Sequence, residues 1–184
     1  MLKKLFFFIL LIAYVIAFAA NKLLDKSVGF DYDMTLAYSR PTFEAEKKEE
    51  PSERIDWTLV NGRLLSAEKR KRAAWLVPLS KIFGYTPIVV TARPEIKGAL
   101  FRAHVQRVYG IKPEDVYMTR DKSAVLAKRN VTVFFGDSDG DITEAQEAGI
   151  RAIRIRRADD DPYKENYNPG KYGEFVLPFS ADHD

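Results

Sequence analysis

The chain has 184 residues, 46% hydrophobic and 30% charged, a balance that suits one globular domain able to bury a core. It contains no cysteine, which excludes a disulfide framework, a thiolate metal site and a cysteine nucleophile. The formal net charge of +3 falls to 27 basic against 26 acidic residues once the first nineteen are set aside, which argues against a dedicated nucleic-acid partner.

Lys3-Lys4 precede sixteen uncharged, largely apolar residues, 5–20, and Ala17-Phe18-Ala19 offers a small-x-small cleavage pattern. As a helix this stretch reaches about 24 Å, short of a hydrocarbon core of roughly 30 Å. Residues 1–19 therefore read as a cleaved signal peptide, with a retained membrane anchor through residues 5–20 as the alternative. Either way the lysines stay inside and the remainder is exported, to a periplasmic or other extracytoplasmic, membrane-anchored location.

Residues 26–33 read as a first strand leading into Phe30-Asp31-Tyr32-Asp33-Met34-Thr35-Leu36. Positions i and i+2 of a strand share a side, so Asp31 and Asp33 can turn toward one point above its C-terminal edge. Open α/β sheets bind ligands at that edge. Residues 42–54 are charged and interrupted by Pro51, which predicts a loop or frayed helix. Asn61-Gly62 is a turn dipeptide, and Ser66 is placed to cap a helix to Phe83, kinked or broken near Val77 by Pro78 and closed by Gly84. The runs 69–72 and 154–157 read as solvated basic faces.

Residues 86–91 form a second predicted strand, ending in Thr91-Ala92-Arg93-Pro94. Pro94 fits the first turn of a helix with Ile96, Leu100, Ala103 and Val108 on its apolar face, ending at Gly110. A short third strand covers 115–118, and Lys122 opens a short helix to Lys128. Residues 131–135 form an apolar, doubly buried fourth strand that runs into Gly136-Asp137-Ser138-Asp139-Gly140-Asp141. Asp141 is placed to N-cap the next helix, with Glu144 at N3 and Gly149 after its end. Strands over 152–155 and 174–177 complete an alternation that implies a parallel, three-layer α/β sheet. His104 and His183 read as core or surface residues, which leaves no histidine-phosphate chemistry.

The order strand-DxDxT, strand-TxR, lysine, strand-GDxxxD resembles the haloacid dehalogenase (HAD) superfamily of phosphohydrolases. VGFDYDMTLAYSRP at 28–41, GDSDGDITEA at 136–145 and RAIRIRRADDDPYK at 151–164 are together similar to the class B bacterial acid phosphatases. The resemblance implies a Rossmann-like HAD fold spanning 20–184, with a small cap-like insertion at about 37–80. It further implies Asp31 as nucleophile through an aspartyl-phosphate, with Asp33 as general acid and then base. Thr91 and Lys122 would hold the phosphate, and Arg93 and Tyr163 would face the substrate. Mg²⁺ would be held by the Asp31 carboxylate, the Asp33 carbonyl and Asp137, with Asp141 positioning its shell. Clustered acids with oxygen donors suit this ion. Met34 stands where relatives often carry Gly or Asp, and bears on substrate access. The implied function is an acid phosphatase acting on small organic phosphomonoesters, nucleotides among them. A narrower nucleotidase, a polynucleotide-end phosphatase and a non-catalytic phospho-ligand-binding domain are the alternatives. Relatives form tetramers, which implies a homo-oligomer.

Overall fold

The computed structural model describes residues 2–49, 54–159 and 161–183. In chain order the first half contains α1 (Leu2–Leu23), β1 (Ser27–Phe30), β2 (Ala37–Tyr38), α2 (Arg40–Glu49), α3 (Trp57–Val60), β3 (Lys69–Arg70), α4 (Leu76–Ile82) and β4 (Thr86–Thr91). The second contains α5 (Gly98–Tyr109), β5 (Val116–Met118), α6 (Lys122–Lys128), β6 (Val131–Gly136), α7 (Asp139–Glu147), β7 (Arg151–Ile155) and β8 (Phe175–Leu177).

Six strands pair in parallel in the order β5-β4-β1-β6-β7-β8. This is the doubly wound α/β arrangement expected from the alternation of elements. Chain order reverses at β1, so a crevice opens above its C-terminal end. The strand period of two sorts the side chains between two cores. Val28, Phe30 and Val89 pack on one face with Val77 of α4 and with Phe101 and Val105 of α5. Ile88, Val90 and Phe134 pack on the other with Leu126 of α6 and Ile142 of α7. Gly29 lies beneath Phe134: a Cβ there would sit 2.7 Å from the ring, so this central crossing requires glycine.

Several local expectations are corrected. The first strand is shorter than 26–33, because the chain leaves the sheet after Phe30 to form the turn at Tyr32. Of the charged stretch 42–54, the helix alternative holds through Glu49 in α2, and Pro51 lies outside the described residues. No continuous helix runs from Ser66 to Phe83. Short 3-10 turns at Arg63–Ala67 and Arg72–Trp75 flank β3, which pairs antiparallel with β2. Pro78 falls in the first turn of α4, where its missing N–H costs nothing. The helix expected from Pro94 begins only at Gly98, because Lys97 takes a left-handed φ of 55° and resets its start. Its buried face is Phe101, His104, Val105 and Tyr109, while Ile96 and Leu100 are exposed. The two basic runs are not wholly solvated either: Lys71, Arg154 and Arg157 are buried.

Helix α1 extends three residues beyond the apolar run, and Lys3–Leu23 is long and apolar enough to cross a membrane. Its C-terminal half touches the domain. Tyr14 donates to the Ile82 carbonyl at 2.7 Å and Asn21 to the Phe83 carbonyl at 2.9 Å, and Phe18 packs on Gly84.

Candidate active site

The crevice above β1 is a cleft of about 550 Å³ lined by Asp31, Asp33, Thr91, Lys122, Asp137 and Asp141, among others. That lies within the range of small-molecule sites, roughly 300–1,000 Å³. These residues come from β1, β4, α6, β6 and α7, and each stands at or just beyond the C-terminal end of a strand or in the first turn of a helix. The Asp31 N–H donates to the Phe135 carbonyl at 2.8 Å, so the β1–β6 ladder fixes the backbone at the first carboxylate. Beyond it the chain folds back: the N–H groups of Leu36 and Ala37 both donate to the Tyr32 carbonyl at 3.0 Å. This turn forces Met34 to a left-handed φ of 59°, unusual for a residue with a side chain, and sets it in the cleft wall.

Lys122 is buried at the start of α6. Its Nζ donates to Asp31 Oδ1 at 2.7 Å and to Asp141 Oδ1. The expected N-cap of α7 is corrected: Ser138 is the N-cap, and Asp141 stands at N3, completing a capping box through its other oxygen. Asp141 can therefore reach Lys122 and hold the helix start at once. It approaches β6 so closely that a Cβ on Gly136 would lie 2.3 Å from its own Cβ, so Gly136 is a steric requirement of the site. Thr91 lines the cleft, and its Oγ1 accepts from the Arg93 N–H at 3.3 Å.

Arg93 is placed differently from a residue facing substrate. Its guanidinium is fully buried and does not line the cleft. Nε donates to Asp33 Oδ2 at 2.9 Å and Nη2 to Asp33 Oδ1 at 2.6 Å, a side-on bidentate clamp. Tyr163 is on the cleft wall and 45% exposed. Phe43 lines the same cleft, with Trp57 edge-on behind it at 6.1 Å.

Arg157 is one site residue that the sequence reading missed. Its Nε donates to Asp137 Oδ2 at 2.5 Å, and its Nη1 donates to the carbonyls of Tyr163 and Glu165. It thus ties the second-strand-end carboxylate to the loop that carries Tyr163. The available signal was its position two residues past β7, on the ligand side of a parallel sheet. Glu68 and Asn61 were missed as well; both reach Arg93 from the segment between β1 and β4.

The chain is 31% identical over 172 residues to the class B acid phosphatase of Salmonella typhimurium, covering 82% of this chain and 71% of the relative. The class B acid phosphatase of Enterobacter sp. strain 638 is 30% identical over 178 residues, covering 85% and 75%. The chain belongs to the class B acid phosphatase family. A haloacid dehalogenase-like hydrolase from Streptococcus pneumoniae shares the fold, with a TM-score of 0.54 over 82% of this chain and 92% of that one at 14% identity. No family model matches the chain.

The electrostatics of this phosphatase site are those of an oxygen cage short of positive charge. Carboxylate oxygens of Asp31, Asp137 and Asp141 all lie within 4.8 Å of one another, and all three residues are buried. Burial, and then the Asp141 charge, push Asp31 well above the usual carboxylate range. The same two causes push Asp137 up to about 6, although Arg157 opposes them. Burial also works against an ionised Asp141, but Lys122 and the Ser138 hydrogen bonds outweigh it and hold that carboxyl below its ordinary value. Asp33 follows the same pattern, with Arg93 and Ser39 outweighing burial. Three hard oxygen donors with unmet negative charge fit a magnesium-sized dication. The Asp33 side chain is fully engaged by Arg93 and Ser39, which leaves its backbone carbonyl as the group that could contribute.

Proposed function

We propose that this phosphatase is an exported, Mg²⁺-dependent enzyme that hydrolyses small organic phosphomonoesters, nucleotides among them, through a phosphoryl group carried on Asp31. The observation that carries this reading is the convergence of the Asp31, Asp137 and Asp141 carboxylates at the switch point of the sheet, with Lys122 paired to Asp31 and Asp141 and Arg157 to Asp137. Asp31 Oδ1 is occupied by Lys122, so Oδ2 is the oxygen free to attack phosphorus. Lys122 neutralises an equatorial phosphate oxygen as a point charge, and the Thr91 hydroxyl donates to another. Asp33 delivers a proton to the leaving oxygen and later takes one from the hydrolytic water, because the second half of the reaction reverses the first. An incoming phosphate dianion offsets Arg93 and raises the proton affinity of Asp33 when that proton is needed. Mg²⁺ held by Asp31, Asp137 and the Asp33 carbonyl, with Asp141 positioning its shell, would supply charge neutralisation for the phosphoryl group. Phe43, Met34 and Tyr163 form the apolar wall that an organic leaving group would meet.

Helix α1 is proposed to direct export, as a signal peptide cleaved near Ala19 or as a retained membrane tether. Assembly with further copies of the chain belongs to the same proposal, and the exposed Ile96 and Leu100 are apolar surface available to it. The decisive experiment is turnover of p-nitrophenyl phosphate by the purified protein before chelation, after chelation and after Mg²⁺ is returned. Loss and recovery of activity are expected, and full activity after exhaustive chelation would refute the metal assignment. The intact mass of the mature protein separates a retained helix from a cleaved one.

A further inference from the structure

We propose that Glu68 is a positioning residue for the reaction, holding the Arg93 guanidinium that orients the Asp33 carboxylate in the cleft. The inference rests on the reading of Asp33 as the acid and base of a phosphatase. Arg93 lies in an aromatic box: its guanidinium carbon is 4.8 Å from the Tyr32 ring centre, 5.0 Å from Phe101 and 5.9 Å from Phe43. Stacking on ring faces attracts a flat cation but leaves it free to slide in its own plane. In-plane hydrogen bonds must stop that motion. Asp33 supplies two of them, yet its side chain is 26% exposed to the cleft and is the group to be positioned.

The opposing restraints come from buried residues. Nη2 donates to Glu68 Oε1 at 2.6 Å, and Nη1 donates to Asn61 Oδ1 at 3.2 Å. Asn61 is itself fixed by donating to the carbonyls of Pro94 and Ile96. Glu68 has a side chain only 2% exposed, and its other oxygen accepts from the Tyr32 hydroxyl. Tyr32 stands between Asp31 and Asp33 in the chain. The hydrogen bonds therefore close a ring that runs from Asp33 through Arg93 and Glu68 to Tyr32 and back into the same turn. Among the described residues Glu68 is the one that hydrogen-bonds both the guanidinium and the Tyr32 hydroxyl, adding an in-plane restraint that the ring contact does not supply. His104 lies beside it, with Nε2 3.6 Å from the second Glu68 oxygen.

The test compares two substrates that differ in their need for a proton on the leaving group. p-Nitrophenyl phosphate needs little protonation, whereas glycerol 1-phosphate releases a basic alkoxide and needs it fully. Glu68→Ala is expected to lower kcat on glycerol 1-phosphate by about 10-fold or more, part of the roughly 10²–10⁴-fold that acid catalysis supplies. On p-nitrophenyl phosphate the same variant is expected to lose less than about 3-fold. Glu68→Gln, which keeps an oxygen for Nη2, should recover part of the difference. In an Asp33→Asn background Glu68→Ala should add no further selectivity, since the two act through one chain of contacts. Equal loss on both substrates, or none, would overturn the proposal, because a purely structural ion pair has no leaving-group preference. Should Glu68→Ala fail to fold, Glu68→Gln and Tyr32→Phe carry the same comparison with smaller expected effects. If the unaltered enzyme turns over neither substrate, the phosphatase mechanism fails and this inference with it.

Discussion

Replacing Asp33 by Asn separates the two chemical steps in a way that the geometry makes quantitative. The substitution removes the proton donor and base while leaving Asp31 and Lys122 untouched at their 2.7 Å contact. Arg93 loses charge-assisted bonds at 2.6 and 2.9 Å but keeps Glu68 and Asn61, so its buried cation is not orphaned. A hydrogen bond to a charged group is worth about 1.5–3 kcal/mol, and the Asn oxygen still accepts one bond, so stability should fall by about 1–3 kcal/mol and the domain should remain folded. Acid–base catalysis contributes about 10²–10⁴-fold, or roughly 3–5 kcal/mol of barrier. With p-nitrophenyl phosphate the first step hardly uses that contribution, but hydrolysis of the phosphorylated enzyme does. Rapid-quench kinetics of Asp33→Asn should therefore show a burst of nitrophenol near one equivalent, followed by turnover slowed about 10²-fold or more. Intact mass should show phosphate retained on the protein, and Asp31→Asn should never show it. Unchanged steady turnover in Asp33→Asn, or phosphorylated Asp31→Asn, would refute the assigned roles.

Other consequences are open to measurement. Arg157→Leu leaves Asp137 without its buried partner, so the melting temperature and the affinity for Mg²⁺ should both change, with a stability loss of about 3–5 kcal/mol by thermal melting and calorimetry. Met34 sits at positive φ, so Met34→Gly should keep or raise the denaturant midpoint, whereas Met34→Val should lower stability by about 1–2 kcal/mol. His104 is held down to about 4, chiefly by burial and then by Arg107 and Arg93; Glu68 at 3.6 Å opposes this but is already engaged by Arg93. The unfolded chain binds that proton from about pH 6.5 downward. Stability from His104 is thus fully present above pH 6.5 and declines as pH falls toward 4, by at most about 3 kcal/mol. Denaturant midpoints of the unaltered protein across that window should fall more steeply than those of His104→Phe.

What could be read from the chain alone is whatever depends on neighbours in sequence. Asp31, Thr91 and Asp137 each follow an apolar strand, and the parallel sheet gathers strand ends at one edge, so their convergence was legible before any coordinates. Lys122 was legible by its place before the Asp137 strand. Buried charge was not legible. Arg154 and Arg157 share a run of basic residues with the half-buried Arg156; the place of Arg157 just past β7 puts it at the ligand edge, but nothing local shows that either arginine grips Asp137. The same holds for Glu68, which lies in a charged stretch and finds Arg93 only because β3 pairs with β2 and swings that segment over the catalytic turn. The buried face of α5 was misread because the stripe through Phe101 and Val105 is also apolar, and only the packing of the helix on the sheet decides which stripe turns inward. Asp31 and Asp33, two residues apart, end in opposite electrostatic settings, one crowded by carboxylates and the other clamped by a guanidinium sixty residues away. Spacing along the chain sets which atoms can meet locally, whereas desolvation and charge pairing depend on what the tertiary fold brings within a few ångströms.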